Sequence, residues 1–93
     1  MRSDDPTWRQ DIGALVFRPE GHQGGCFVHR LAFRSLGQET FRESCEAFFR
    51  SHEDVFERAA QAKIQRAGVS STENFHLTSR DIRRALGEAS GPL

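Results

Sequence analysis

The sequence predicts a single α+β domain, in which a small antiparallel sheet of two or three strands packs on one long helix. Two β-rich runs, 13–18 and 26–30, flank a glycine-rich connection, and this pattern predicts a β-hairpin. Apolar residues recur at three- and four-residue spacing from Thr40 to Ala67, which predicts an amphipathic helix. The chain has 93 residues and no internal repeat, so one domain is expected.

The domain is expected to span residues 12–87. Residues 1–11 are polar and contain Pro6, and they predict a flexible N-terminal arm. Trp8 is the one large apolar group of this arm and can hold it against the body of the domain. Residues 88–93 predict a loose C-terminal tail.

Three shorter elements complete the predicted fold. Gly37 and Gly87 each follow a short apolar-periodic segment and suit helix C-termini. Thr78 and Asp81 have the spacing of a capping box, in which each residue satisfies a backbone N–H of the other. The elements are a helix over 31–36, a strand over 75–77 and a helix over 79–86.

The segment 40–67 carries the strongest periodicity of the chain. Thr40 and Glu43 form a predicted capping box at its start, and a second such pair, Ser51 and Asp54, leaves a break near residue 51 open. Unbroken, the helix would be about 42 Å long, against a diameter of about 30 Å for a domain of this size. Its apolar stripe would then overhang the domain, and a second copy of the chain is the simplest cover.

This argument predicts a homodimer with an interface on the middle of the long helix. The interface residues are Phe48, Phe49, His52, Val55 and Phe56. His52 is a titratable group within the stripe, so its protonation is expected to weaken such a dimer. The predicted core consists of Leu15, Phe17, Phe27 or Val28, Leu36, Phe41, Phe48, Phe56, Leu77 and Ile82.

The charge balance limits the classes of partner. Lys and Arg together number 13, as do Asp and Glu, which argues against a dedicated electrostatic binder of nucleic acid or of an anionic membrane. No apolar run approaches the roughly 20 residues of a membrane-spanning helix. The N-terminus lacks the apolar stretch of a signal peptide, so a cytoplasmic protein is expected.

No catalytic, cofactor or metal site is predicted. The sequence lacks the phosphate-binding, dinucleotide-binding, zinc-protease and serine-hydrolase motifs. Cys26 with His29 and Cys45 with His52 offer metal-binding atoms, but positions 26 and 29 point to opposite faces of a strand. Both cysteines are therefore expected to be core residues.

The sequence thus predicts a non-catalytic protein-interaction or regulatory module that acts as a homodimer. The alternative is a weak nucleic-acid-associated protein. In that case the contact is made by Arg80, Arg83 and Arg84, which cluster on the closing helix.

The order of short motifs resembles the bacterial family catalogued as domain of unknown function 1488. The resemblance covers about residues 8–82 and rests on Trp8, on the strands 15–17 and 25–28, and on the closing motif Leu77-Thr78-x-x-Asp81. It implies a compact α+β fold and a cytoplasmic bacterial protein, with no known activity or site. Two residues depart from the family pattern: His29 replaces an expected small hydroxyl residue that would cap the short helix, and Gly24 replaces an apolar strand residue.

Overall fold

A computed structural model describes residues 6–89 and shows an α+β domain with a four-stranded mixed sheet. The strands are β1 (Thr7–Arg9), β2 (Ala14–Phe17), β3 (Cys26–His29) and β4 (Phe75–Leu77). The helices are α1 (Arg30–Ser35), α2 (Arg42–Ser51), α3 (Glu53–Ala67) and α4 (Ser79–Ala89). The spatial order of the strands follows the chain, β1-β2-β3-β4. No helix within 6–89 is both long and apolar enough to cross a membrane.

The predicted hairpin is confirmed as β2 and β3, which pair antiparallel with Leu15 opposite Val28. The brief third strand is also confirmed, but it lies parallel to β3, with Val28 opposite Leu77. Parallel neighbours need a long crossover, and here α1, α2 and α3 supply it. This crossover places the helices against one face of the sheet.

The prediction of a flexible arm over 1–11 is wrong for the part that the structure describes. Residues 7–9 form β1, an additional edge strand that pairs with β2 and places Trp8 opposite Leu15. Trp8 packs against the core, so it does hold this segment in place. The strand ends in a tight connection in which Arg9 donates two hydrogen bonds to Asp11, at 2.8 and 3.0 Å. Residues 1–5 of the predicted arm lie outside the described residues.

The predicted long helix is two helices, α2 and α3, which meet at His52. The backbone of His52 leaves the helical region (φ −133°, ψ 33°). The alternative of a break near residue 51 is therefore confirmed, although not through the predicted capping pair. Ser51 donates to the carbonyl of Ala47 at 2.8 Å instead of capping α3. The two shorter helices can both bury apolar side chains against the same small sheet, which one straight helix of that length could not.

The start of α2 also differs from the prediction. Phe41 is the N-cap residue and no side chain caps the helix, so the predicted capping box of Thr40 and Glu43 does not form. As an N-cap, Phe41 lies outside the helix and is 55% exposed, so its predicted place in the core is wrong.

The core lies between one face of the sheet and the helices. Of the predicted core residues, the structure buries Leu15, Phe17, Val28, Phe56, Leu77 and Ile82. Leu36 and Phe48 pack at its margin. Phe33 and Phe49 are fully buried although the core prediction omitted them. Phe27, offered as the alternative to Val28, belongs to the opposite face of the sheet because side chains alternate along a strand.

The caps of α1 and α4 follow local chemistry. His29, the departure from the family pattern, still caps α1, because its Nδ1 accepts a hydrogen bond from the Leu31 N–H at 3.2 Å. The capping box of Thr78 and Asp81 is confirmed, with Thr78 N–H donating to Asp81 Oδ2 at 2.8 Å and Asp81 N–H donating to Thr78 Oγ1 at 3.2 Å. α4 continues through Gly87 to residue 89, so the predicted stop at Gly87 is wrong. Residues 90–93 of the predicted tail lie outside the described part.

The hairpin loop and the segment before β4 contact each other beside the sheet. His22 lies in the loop of the hairpin and is buried, with Nε2 2.7 Å from the carbonyl oxygen of Glu73. Its ring packs edge-on against Phe75 at 5.2 Å. Gln23 and Gly24 both donate backbone hydrogen bonds to the carbonyl of Ser71. The hairpin loop therefore docks on the segment that leads into β4, which only the tertiary fold brings near.

Gly24 is predicted to be indispensable for this contact. A Cβ at position 24 would lie 2.3 Å from the carbonyl oxygen of Glu73, and that oxygen belongs to backbone already held by His22. Gly24→Ala is therefore expected to lower the free energy of unfolding by about 1–3 kcal/mol. Chemical denaturation of the two proteins measures this difference in the free energy of unfolding.

Gly87→Ala is the matched control. A Cβ there meets nothing within 4 Å, and position 87 lies within α4. This substitution is expected to stabilise the protein by about 0.5–1 kcal/mol, because alanine favours helix. Equal stability of Gly24→Ala and the unsubstituted protein would contradict the loop contact.

Candidate binding surfaces

The residues predicted to form a dimer interface lie mainly in the core. Phe49 and Phe56 are 0% exposed and Val55 is 5% exposed, so none of the three can contact a second folded copy. Phe48 and His52 are half-buried, and their rings stack at a centroid distance of 4.2 Å. His52 Nδ1 also lies 3.0 Å from the Phe48 carbonyl, at the end of α2. The break at His52 thus removes the overhanging stripe on which the dimer argument depended.

The two cysteines are both free and buried. Burial raises the pKa of the Cys26 thiol far above its ordinary value, and it raises the pKa of Cys45 to about 11. Both thiols therefore stay protonated at neutral pH, which is unfavourable for nucleophilic attack and for metal binding. Within residues 6–89 no three metal-binding side chains of His, Cys, Asp or Glu come together.

Arginines gather on the exposed side of α4. Arg80, Arg83 and Arg84 are all exposed there. Their three- and four-residue spacing places them on one face of the helix. Arg83 donates a hydrogen bond to the carbonyl of Ser35, the last residue of α1. This contact sets the end of α1, with its exposed Arg34, beside α4.

We call Arg34, Arg80, Arg83 and Arg84 the arginine surface. None of the four forms a salt bridge with a carboxylate among residues 6–87, the range over which the structure describes side chains, and this distinguishes them from the paired arginines of α2 and α3. Arg42 pairs with Glu46 at 3.1 Å and Arg58 pairs with Asp54 at 3.3 Å. The predicted contact residues of α4 are thus brought together, and the structure adds Arg34 to them.

The carboxylates of the helices concentrate elsewhere. They lie on α2 and in the first turns of α3, as Glu43, Glu46, Glu53, Asp54 and Glu57. The one acidic side chain of α4 among residues 79–87, Asp81, is buried beneath the helix and accepts from Lys63 at 3.1 Å and from Arg66 at 2.9 Å. Cations and carboxylates are thus balanced on α2 and α3, with five of each, whereas residues 79–87 of α4 carry three arginines and one carboxylate.

A second surface is the face of the sheet away from the helices. The strand register aligns Thr7, Val16, Phe27 and His76 in one row across all four strands. A second row contains Arg9, Ala14 and His29, of which Ala14 is buried at 2% exposed. We call these seven residues the outer sheet face. Val16 and Phe27 do not belong to the hydrophobic core or to its margin, and His76 is exposed.

This surface was not predicted from the sequence. The alternation of side chains along each strand does place Val16, Phe27 and His76 on the face opposite Leu15, Val28 and Leu77, so the pattern that could have indicated the surface is present. Only the register, however, shows that these residues are neighbours, and register across a parallel crossover is set by tertiary packing.

Comparison with family models, with curated proteins and with solved structures found no match. The resemblance to the domain of unknown function 1488 family therefore stays a prediction.

Proposed function

We propose that this chain is a non-catalytic binding module that associates weakly with nucleic acid through the arginine surface. The observation that carries the proposal is the convergence of four exposed arginines from α1 and α4, none of which has a carboxylate partner among the side chains of residues 6–87. Arginine is well suited to phosphate because its planar guanidinium is always charged and donates two parallel hydrogen bonds. The phosphate backbone supplies most of the affinity in sequence-independent association.

Zero net charge is compatible with this function because salt makes electrostatics local. At 0.1 M ionic strength the screening length is about 10 Å. The domain extends 36 × 29 × 24 Å, so carboxylates far from the arginine surface affect it little. Local charge segregation then matters more than the sum over the chain.

The proposal replaces the homodimeric interaction module as the leading function. That function depended on an exposed apolar stripe, and the stripe is divided between α2 and α3 with Phe49, Val55 and Phe56 buried. Burial raises the pKa of both thiols and keeps them protonated at neutral pH, so neither is suited to act as a nucleophile.

A salt titration with a matched pair of variants tests the proposal. The double variant Arg80→Gln/Arg84→Gln removes two charges from the arginine surface and leaves the Arg83 bond to Ser35 in place. The control, Arg42→Gln/Arg50→Gln, removes two exposed arginines from α2. Fluorescence anisotropy with a labelled 20-base-pair DNA duplex at 20–200 mM salt is the measurement. We expect the first variant to reduce the slope of log K against log salt by up to about 2, and the control to leave it unchanged.

Three outcomes contradict the proposal. One is the absence of any binding to the duplex at 20 mM salt. Another is an equal loss of affinity in both double variants, which would indicate a response to net charge alone. The third is equally tight binding of poly-L-glutamate, which would indicate a surface for acidic protein segments instead of phosphates.

A further inference from the structure

The outer sheet face combines an apolar centre with polar neighbours. Val16 and Phe27 occupy the middle of the face, on the two interior strands. The polar residues of the face are Thr7, Arg9, His29 and His76. Arg9 is paired with Asp11, which accepts two hydrogen bonds from it, and His29 Nδ1 accepts a hydrogen bond from the Leu31 N–H. The apolar centre is thus bordered by polar groups, and the arginine among them is already paired.

Two rings form a platform on this face. The rings of Phe27 and His76 lie on adjacent strands with centroids 5.4 Å apart and planes inclined by 34°. Gly25 allows this arrangement, because a Cβ there would lie 2.9 Å from Val16 Cγ1 and 3.3 Å from Phe27 Cε1. A larger residue at position 25 would therefore clash with the Phe27 ring.

The size of the face limits what it can bind. Four strands about 4.8 Å apart, each three or four residues long, give a footprint of about 14 × 13 Å. That is on the order of 200 Å², well below the roughly 800 Å² that each partner buries in a stable protein complex. A second copy of the chain is therefore a poor occupant. Two or three flat rings fit, and sheets that bind single-stranded RNA stack that number of bases on exposed aromatic side chains.

We infer that the outer sheet face binds unpaired bases of a single-stranded nucleic acid, with one base stacked on the Phe27–His76 pair. The inference rests on the proposed function and extends it to a second site, on the face of the sheet away from the helices. The exposed ring of His76 beside Phe27 supports this occupant, because a base stacks on the flat face of an aromatic ring. Stacking tolerates any base, so no sequence preference is expected.

Anisotropy with a labelled single-stranded 20-mer of thymidine, beside the duplex used above, tests the inference. Phe27→Leu keeps the apolar bulk but removes the ring, and His76→Gln removes the second ring at an exposed position. We expect each variant to weaken binding of the single strand by about fivefold or more and to leave duplex binding and both salt slopes unchanged. Phe41→Leu is the matched control, because it makes the same substitution at an exposed phenylalanine at the start of α2.

The other possible outcomes show whether the inference alone fails or the proposed function fails with it. If both Phe27→Leu and His76→Gln bind the single strand as tightly as the unsubstituted protein, the inference is wrong. Binding of the duplex in the same experiment would still support the proposed function. A parallel loss of single-strand and duplex binding in Phe27→Leu also overturns it, because a stacking site would affect only unpaired bases. Absence of binding to both probes at 20 mM salt removes the proposed function and this inference together.

Discussion

Replacement of Phe56 by alanine is expected to lower the free energy of unfolding by about 3–5 kcal/mol. Phe56 is fully buried at the centre of an aromatic cluster, with ring centroids 5.1 Å from Phe49, 5.9 Å from Phe33 and 6.3 Å from Phe17. These partners come from α2, α1 and β2, so the cavity would loosen several elements at once. A domain of this size has about 5–15 kcal/mol of stability in total. Urea denaturation followed by circular dichroism measures the loss.

Phe41→Ala is the control for this prediction. It removes the same side chain from a position that is 55% exposed, and the expected change is within about 0.5 kcal/mol. The two variants together test the described core. If Phe56→Ala cost no more than Phe41→Ala, Phe56 would have to lie on an exposed face and the described core would be wrong.

Asp81→Ala is expected to cost about 2–4 kcal/mol. The carboxylate is 9% exposed and accepts hydrogen bonds from Lys63 at 3.1 Å, Arg66 at 2.9 Å and the Thr78 N–H at 2.8 Å. Its removal uncaps α4 and leaves the half-buried ammonium of Lys63 without its partner. Asp54→Ala is the control, because the Asp54–Arg58 pair is largely exposed and contributes at most about 0.5 kcal/mol.

The same carboxylate makes stability depend on acid. Burial alone would raise the pKa of Asp81, but hydrogen bonds from Thr78 and Lys63 outweigh it and lower the pKa below the ordinary 3.8. A group whose pKa is lower in the folded state stabilises the fold above its unfolded pKa, and the contribution is lost as pH falls through the folded pKa. Stability of the wild-type protein is therefore expected to fall below about pH 4 more steeply than that of Asp81→Asn. Parallel pH profiles of the two proteins would contradict this assignment.

Local patterns in the sequence predicted most elements and little of their arrangement. The hairpin, the short helix after it, the brief strand and the capping box at Thr78 need only neighbouring residues, and all four are present. The candidate contact residues of α4 were likewise predictable, since helical spacing alone groups Arg80, Arg83 and Arg84 on one side.

The wrong prediction of one long helix has a tertiary cause. Periodicity cannot distinguish one helix from two that bury the same stripe, and the need of α2 and α3 to cover one small sheet places the break at His52. The burial of His22 depends likewise on a loop about 50 residues away in the chain.

The sequence by itself determined the α+β class, the element types and the alternating faces of each strand, because these depend on contacts within a few residues. Tertiary structure alone decided that Trp8 joins a four-stranded sheet, that Phe27 meets His76, and that Arg34 stands beside the arginines of α4. Each of these juxtapositions joins separate elements through packing in three dimensions. Both proposed binding surfaces are of this kind.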